Sequence, residues 1–143
     1  MSRHKILLVD DEQDFTTALA KRFSVRGLDV ETATNGKEAL EKVKEHDFDA
    51  VLLDIAMPGW DGVETLKYLI QERADIQVVL LTGHATVEKG VEAMKLGALD
   101  LLEKPAEFQD LLNKIEEASA KKAVLVEERI ESKLDEILKK KSW

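Results

Sequence analysis

Apolar residues run unbroken as ILLV at 6–9, AVLL at 50–53 and VVLL at 78–81, with a weaker run at 99–102 that Asp100 interrupts. Runs this short, bounded by turn residues, are the pattern of strands buried on both faces of a parallel sheet. Leu28-Asp29-Val30-Glu31 alternates instead, as a strand at a sheet edge does. Between these runs the apolar spacing changes to three and four: Phe15, Ala18, Leu19, Phe23; then Ala39, Leu40, Val43; then Val63, Leu66, Leu69, Ile70; then Val87, Val91, Met94. That spacing is helical. Asn35 followed by Glu38 predicts one helix cap, and Thr86 another. The strand–helix unit repeats five times, so the chain is expected to form an α/β, doubly wound five-stranded parallel sheet with helices on both faces. The ligand site of such a sheet lies outside the carboxyl ends of its strands.

That rule collects the polar residues that end the runs. Asp10 and Asp11 close the first, Asp54 the third and Thr82 the fourth, and Lys104-Pro105 follows the fifth. Three clustered carboxylates repel one another, and a hard, oxygen-seeking cation such as Mg²⁺ relieves the repulsion better than one lysine. In that reading Asp10 and Asp11 hold the metal. Asp54, alone at a strand end, is the nucleophile toward a phosphoryl group. Lys104 binds a phosphoryl oxygen as a point charge and the Thr82 hydroxyl donates to another. A plainer reading stands beside it, with Asp10 and Asp11 as helix cap and first-turn acid, Asp54 as a turn residue, and Thr82 and Lys104 simply solvated.

Charge and composition narrow the classes. The 143 residues suit one domain, and 29 acids against 21 bases give a net charge of −8, concentrated in residues 1–106, so direct nucleic-acid binding is not expected. Cysteine is absent, which rules out disulfides and fits a reducing cytoplasm. Neither a signal-peptide pattern nor an apolar run near the roughly 20 residues of a membrane span is present, so a soluble intracellular protein is expected. The loop DDEQDF at 10–15 would repel the phosphate of a flavin-type cofactor, and the adjacent aspartates lack the DxD spacing of a haloacid-dehalogenase-like phosphatase. His4, His46 and His84 share no metal-ligand spacing, and Trp60 reads as a loop aromatic or a partner contact.

Taken together, VDD at 9–11, LLDIAMPGWDG at 52–62, LLTGHA at 80–85 and GALDLLEKP at 97–105 resemble the receiver domains of two-component response regulators, over about residues 4–118. The resemblance implies a flavodoxin-like strand order 2-1-3-4-5. It implies that Asp54 accepts a phosphoryl group from a phosphohistidine of a sensor histidine kinase or histidine phosphotransfer protein. It implies Mg²⁺ on Asp11, Asp54 and the backbone carbonyl of Ala56, with Asp10 acting largely through water, and a cis Lys104-Pro105 peptide. Such a domain catalyses its own phosphoryl transfer and a slow autodephosphorylation, and is otherwise not an enzyme. The chain departs from the pattern at Leu101, where many receivers carry Tyr or Phe, while Ala56 and His84 occupy positions that tune access of the hydrolytic water. The rival within the same fold is a binding-only pseudo-receiver.

Residues 107–141 contain neither glycine nor proline, and one continuous helix over them would run about 50 Å. A receiver's last helix ends near residue 120, which divides the chain into a receiver at 1–120 and a C-terminal amphipathic helical extension at 121–143. There Ala123, Val126, Ile130, Leu134, Ile137 and Leu138 recur at spacings of three and four. Such a stripe needs cover, either from its own domain, or as a linker helix toward an effector, or by pairing into a homodimer or partner-docking element; pairing is the expectation adopted. No helix-turn-helix or catalytic motif follows, so the chain is either a stand-alone receiver or part of a longer regulator.

Overall fold

The computed structural model describes residues 4–83 and 87–140. Among the described residues strand and helix alternate: β1 Lys5–Val9, α1 Gln13–Val25, β2 Asp29–Ala33, α2 Gly36–Glu45, β3 Ala50–Asp54, α3 Gly62–Glu72, β4 Val78–Thr82, α4 Val87–Leu96, β5 Asp100–Glu103 and α5 Phe108–Lys140. The five strands form one sheet in the order β2-β1-β3-β4-β5, and every neighbouring pair is parallel.

Strand alternation splits the core into two layers. Leu7, Val9, Val51, Leu53, Val78 and Leu80 pack toward α2, α3 and α4. Ile6, Leu8, Leu52, Val79 and Leu81 meet Phe23 of α1 and Leu111, Ile115 and Ala118 of α5 on the other face. β3 and β4 are buried at every position, which explains their unbroken apolar runs. β5 begins at Asp100, so the interrupting acid is its first residue. It is tolerated because β5 is an edge strand and the Asp100 carboxylate meets Lys114 at 2.6 Å.

The expected cap at Asn35 forms: its side chain accepts from the Glu38 amide at 2.9 Å, while the Glu38 carboxylate accepts from the Thr34 amide and hydroxyl. Asp61 caps α3 in the same way. Thr86 lies outside the described residues. At Gly90 of α4 a side-chain Cβ would stand 2.6 Å from a Leu101 methyl, so the glycine is the notch that admits Leu101.

α5 does not end near residue 120; it is a single helix of 33 residues. Its first half lies on the core. Lys122 is then buried, with its ammonium 2.8 Å from the Phe48 carbonyl oxygen and 2.5 Å from the Asp47 carboxylate. About two turns further on, Arg129 pairs with Asp75 at 3.3 Å. Beyond that pair Ile130, Leu134, Ile137 and Leu138 are exposed.

Candidate functional site

β1 sits between β2 and β3, so the strand order reverses beside it, and a crevice opens at the carboxyl ends there. Asp10 and Asp11 follow β1 and Asp54 ends β3; one carboxylate oxygen from each falls within 4.8 Å of the other two. The sequence-derived trio is therefore one cluster. Asp10 and Asp54 are buried and Asp11 is exposed. The helix-cap reading of the pair does not hold: α1 is preceded by Glu12, which makes no side-chain cap, and Asp10 instead accepts from the Glu12 amide at 2.9 Å.

β5 brings the cation. Its last turn is tied to β4 through the Lys104 amide and the Thr82 carbonyl oxygen at 2.7 Å, and the Lys104-Pro105 peptide is cis, as the resemblance implied. The ammonium reaches Asp10 Oδ2 at 2.8 Å and Asp54 Oδ1 at 3.7 Å. Thr82 is buried at the end of β4, its hydroxyl donating to the Gly83 carbonyl oxygen at 2.8 Å. The Ala56 amide points back at Asp54 Oδ1, 3.3 Å away. The loop can turn this tightly because a Cβ on Gly62 would lie 2.6 Å from the Ile55 Cα.

The electrostatics are those of an under-neutralised anion pocket. Burial first, and the Asp10 charge second, push Asp54 up to about 6 against the opposing pull of Lys104. Burial alone would lower Lys104, but its hydrogen bond to Asp10 and the charges of Asp54 and Asp10 outweigh that and hold it above its ordinary value. One lysine thus leaves Asp54 short of positive charge. Three convergent carboxylates with a surplus of negative charge suit a hard divalent cation.

Sequence reasoning missed Phe15. It stands in the first turn of α1 with its ring centroid 4.9 Å from the Lys104 ammonium, and it walls an apolar cavity of about 380 Å³ shared with Leu19, Arg22, Pro105 and Phe108. Its helical spacing marked it only as a core residue, and the spacing carries no sign of a partner 89 positions away. The histidines stay apart from the site: His4 contacts Glu116 at 3.0 Å and His46 contacts Glu31 at 3.4 Å, both at the amino ends of strands, while His84 lies outside the described residues. Trp60 stacks on Tyr68 with centroids 4.2 Å apart, so it is packed against α3.

Among the described residues no helix is long and apolar enough to cross a membrane. The family model for the response regulator receiver domain matches residues 6–116. The transcriptional regulatory protein ZraR of Klebsiella oxytoca is 44% identical over 115 residues, covering 80% of this chain and 26% of that protein. The C4-dicarboxylate transport transcriptional regulatory protein DctD of Pseudomonas aeruginosa is 36% identical over 126 residues, 87% of this chain and 27% of its own. The chain thus spans about a quarter of the length of these curated relatives. A solved receiver domain protein from Clostridium thermocellum superposes with a TM-score of 0.82 at 32% identity, over 85% of this chain and 98% of the other. A structure described as adenylate cyclase from Rhodopirellula baltica gives 0.83 at 26% identity over 99% of this chain and 100% of that one. With the strand order, the acid cluster and the strand-end lysine in place, the chain belongs to the receiver domains of two-component response regulators.

Proposed function

We propose that Asp54 is the phosphoacceptor of this receiver and that its donor is a phosphohistidine on a sensor histidine kinase or histidine phosphotransfer protein. The observation that carries the reading is a buried carboxylate at the switch of strand order, with Lys104 at 3.7 Å and two further carboxylates within 4.8 Å. Asp11, Asp54 and the Ala56 carbonyl hold Mg²⁺, with Asp10 acting through water. When bound, the ion supplies neutralisation of the phosphoryl oxygens and of the acid cluster.

The chain's own groups do the rest. An Asp54 oxygen forms the new O–P bond as the P–N bond of the donor breaks, and the imidazole nitrogen keeps the electron pair and takes up a proton. Lys104 donates from its ammonium to a phosphoryl oxygen, and the Thr82 hydroxyl donates to another. Water later attacks the acyl phosphate slowly, with access governed by Ala56 and His84. With Leu101 seated in the Gly90 notch, the switch reaches the surface of α4, β5 and α5 without an aromatic side chain.

Residues 1–120 act as the receiver and 121–143 as a helical extension whose exposed stripe pairs with a second copy. The domain works in the cytoplasm as the input of a longer regulator, in which any DNA contact falls to other segments. Two tails of this length make a marginal coiled coil, so the receiver faces contribute to the dimer. Light scattering on the full chain tests it: a monomer in both phosphorylation states overturns the pairing.

Acetyl phosphate with Mg²⁺, read by intact mass, tests the acceptor. One labile phosphoryl group on the parent and none on Asp54→Asn is expected. Stoichiometric labelling of the variant overturns the assignment, and an unlabelled parent favours a binding-only domain.

A further inference from the structure

Among the described residues the Lys104 ammonium meets three groups closely: Asp10 Oδ2 at 2.8 Å, Asp54 Oδ1 at 3.7 Å and the Phe15 ring centroid at 4.9 Å. Two of them are the anions whose balance the reaction alters. Asp10 is itself fixed by the Glu12 amide and buried, so it cannot follow the lysine; Asp54 changes from a carboxylate to an acyl phosphate. The ammonium carries three donors, so Lys104 can reach a phosphoryl oxygen while it keeps Asp10, provided its head stays between the two. The ring alone of the three is uncharged, and the reaction leaves it as it is.

We propose that Phe15 is a positioning residue for Lys104: its aromatic face holds the ammonium between Asp10 and the incoming phosphoryl oxygen. This inference rests on Asp54 being the acceptor. A hydrogen bond to a carboxylate is directional and weakens steeply as the angle opens, whereas the attraction between a cation and an aromatic quadrupole acts over the ring face out to about 6 Å. The ring therefore holds the ammonium while its hydrogen bonds rearrange.

The placement of Phe15 agrees with that task. It is the third residue of α1, on a turn secured by the Thr16 amide and hydroxyl, both donating to the Glu12 carbonyl oxygen at 3.0 Å, so the ring is presented from a fixed backbone. A phenylalanine serving the core alone would be buried, as Phe23 is at 0% exposure, yet Phe15 stays 36% exposed beside the charge. The cavity's second ring, Phe108, has a cation over its own face, Arg22 at 4.0 Å.

Graded fluorination at position 15 separates electrostatics from shape. Mono-, di- and trifluorophenylalanine keep the ring's outline while draining its quadrupole, and the rate of Asp54 labelling by acetyl phosphate with Mg²⁺ should fall stepwise, by about threefold over the series. Phe15→Trp should retain the parent rate and Phe15→Leu should match the trifluorinated protein. Melting temperatures across the fluorinated series should stay level. By NMR, the Lys104 ε-protons of the parent should carry an upfield ring-current shift before and after phosphorylation, and Phe15→Leu should abolish it. A flat fluorine series in a protein that is labelled at Asp54, or loss of the ring-current shift on phosphorylation, overturns the role of Phe15 alone. Absence of labelling at Asp54 removes the acceptor assignment, and this inference with it.

Discussion

Asp54→Asn should make the metal-free protein more stable at neutral pH. The carboxyl stands at about 6 in the folded chain against an ordinary 3.8, raised by burial and by Asp10. At 1.36 kcal/mol per pH unit, the rise corresponds to about 3 kcal/mol of destabilisation once the group is ionised. The side chain is only 8% exposed, so solvent screening removes little of it. An asparagine keeps the shape, and its oxygen can still accept from the Ala56 amide and face Lys104, which approach the same atom, but it meets Lys104 as a neutral group in place of a charged one, costing about 1 kcal/mol. The net gain is about 2 kcal/mol, or about 6 °C in melting temperature for a chain this long. The sign follows from proton uptake: between 3.8 and about 6 the folded state binds more protons than the unfolded one, so the parent loses stability as pH rises through that window. Urea unfolding with a chelator present should therefore show parent and variant diverging from pH 4 upward and the gap levelling off above pH 6 to 7. No gain at pH 7.5, or a gain of equal size at pH 3.5, would refute the account of Asp54 as a buried, under-neutralised anion.

Three further tests address other parts of the fold. Asp11→Ala removes one charge of the cluster; its melting temperature without Mg²⁺ should exceed the parent's, while the roughly 1.4 kcal/mol that Mg²⁺ gives the parent at ten times its dissociation constant should vanish. Lys122→Met keeps the buried stem but leaves the Phe48 carbonyl oxygen without its donor; a loss of about 1–2 kcal/mol and faster amide exchange across residues 122–130 are expected, and unchanged exchange would count against this anchor. Gly90→Ala should destabilise by about 1 kcal/mol despite its better helix propensity, because its Cβ meets Leu101, and adding Leu101→Val should recover the loss; stabilisation by the single change would remove the notch argument.

What the sequence discloses depends on whether a feature is local. β3 and β4 are legible because burial on both faces leaves no room for a polar residue, and the strand-end rule then gathers Asp10, Asp11, Asp54, Thr82 and Lys104 from four separate stretches. β5 is harder to bound, since an edge strand carries its Asp100 at no cost once Lys114 neutralises it from α5. Lys122 reads as one more solvated lysine on a charged helix, and only the return of the chain near Asp47 shows it to be buried. The pairs Phe15 with Lys104 and Gly90 with Leu101 are likewise products of packing between distant segments, which no spacing within either segment encodes.

The uninterrupted α5 has a mechanical consequence. From Arg129, which pairs with Asp75 of the domain, to Lys140 the helix runs roughly 16 Å, with neither glycine nor proline to act as a joint. A projecting rod of that kind is a lever whose fulcrum is the pair of anchors at Lys122 and Arg129. A tilt of about 10° at the fulcrum carries the tip sideways by roughly 3 Å. Motions too small to register inside the packed receiver are thereby converted, at the far end, into a displacement comparable to a hydrogen bond's length.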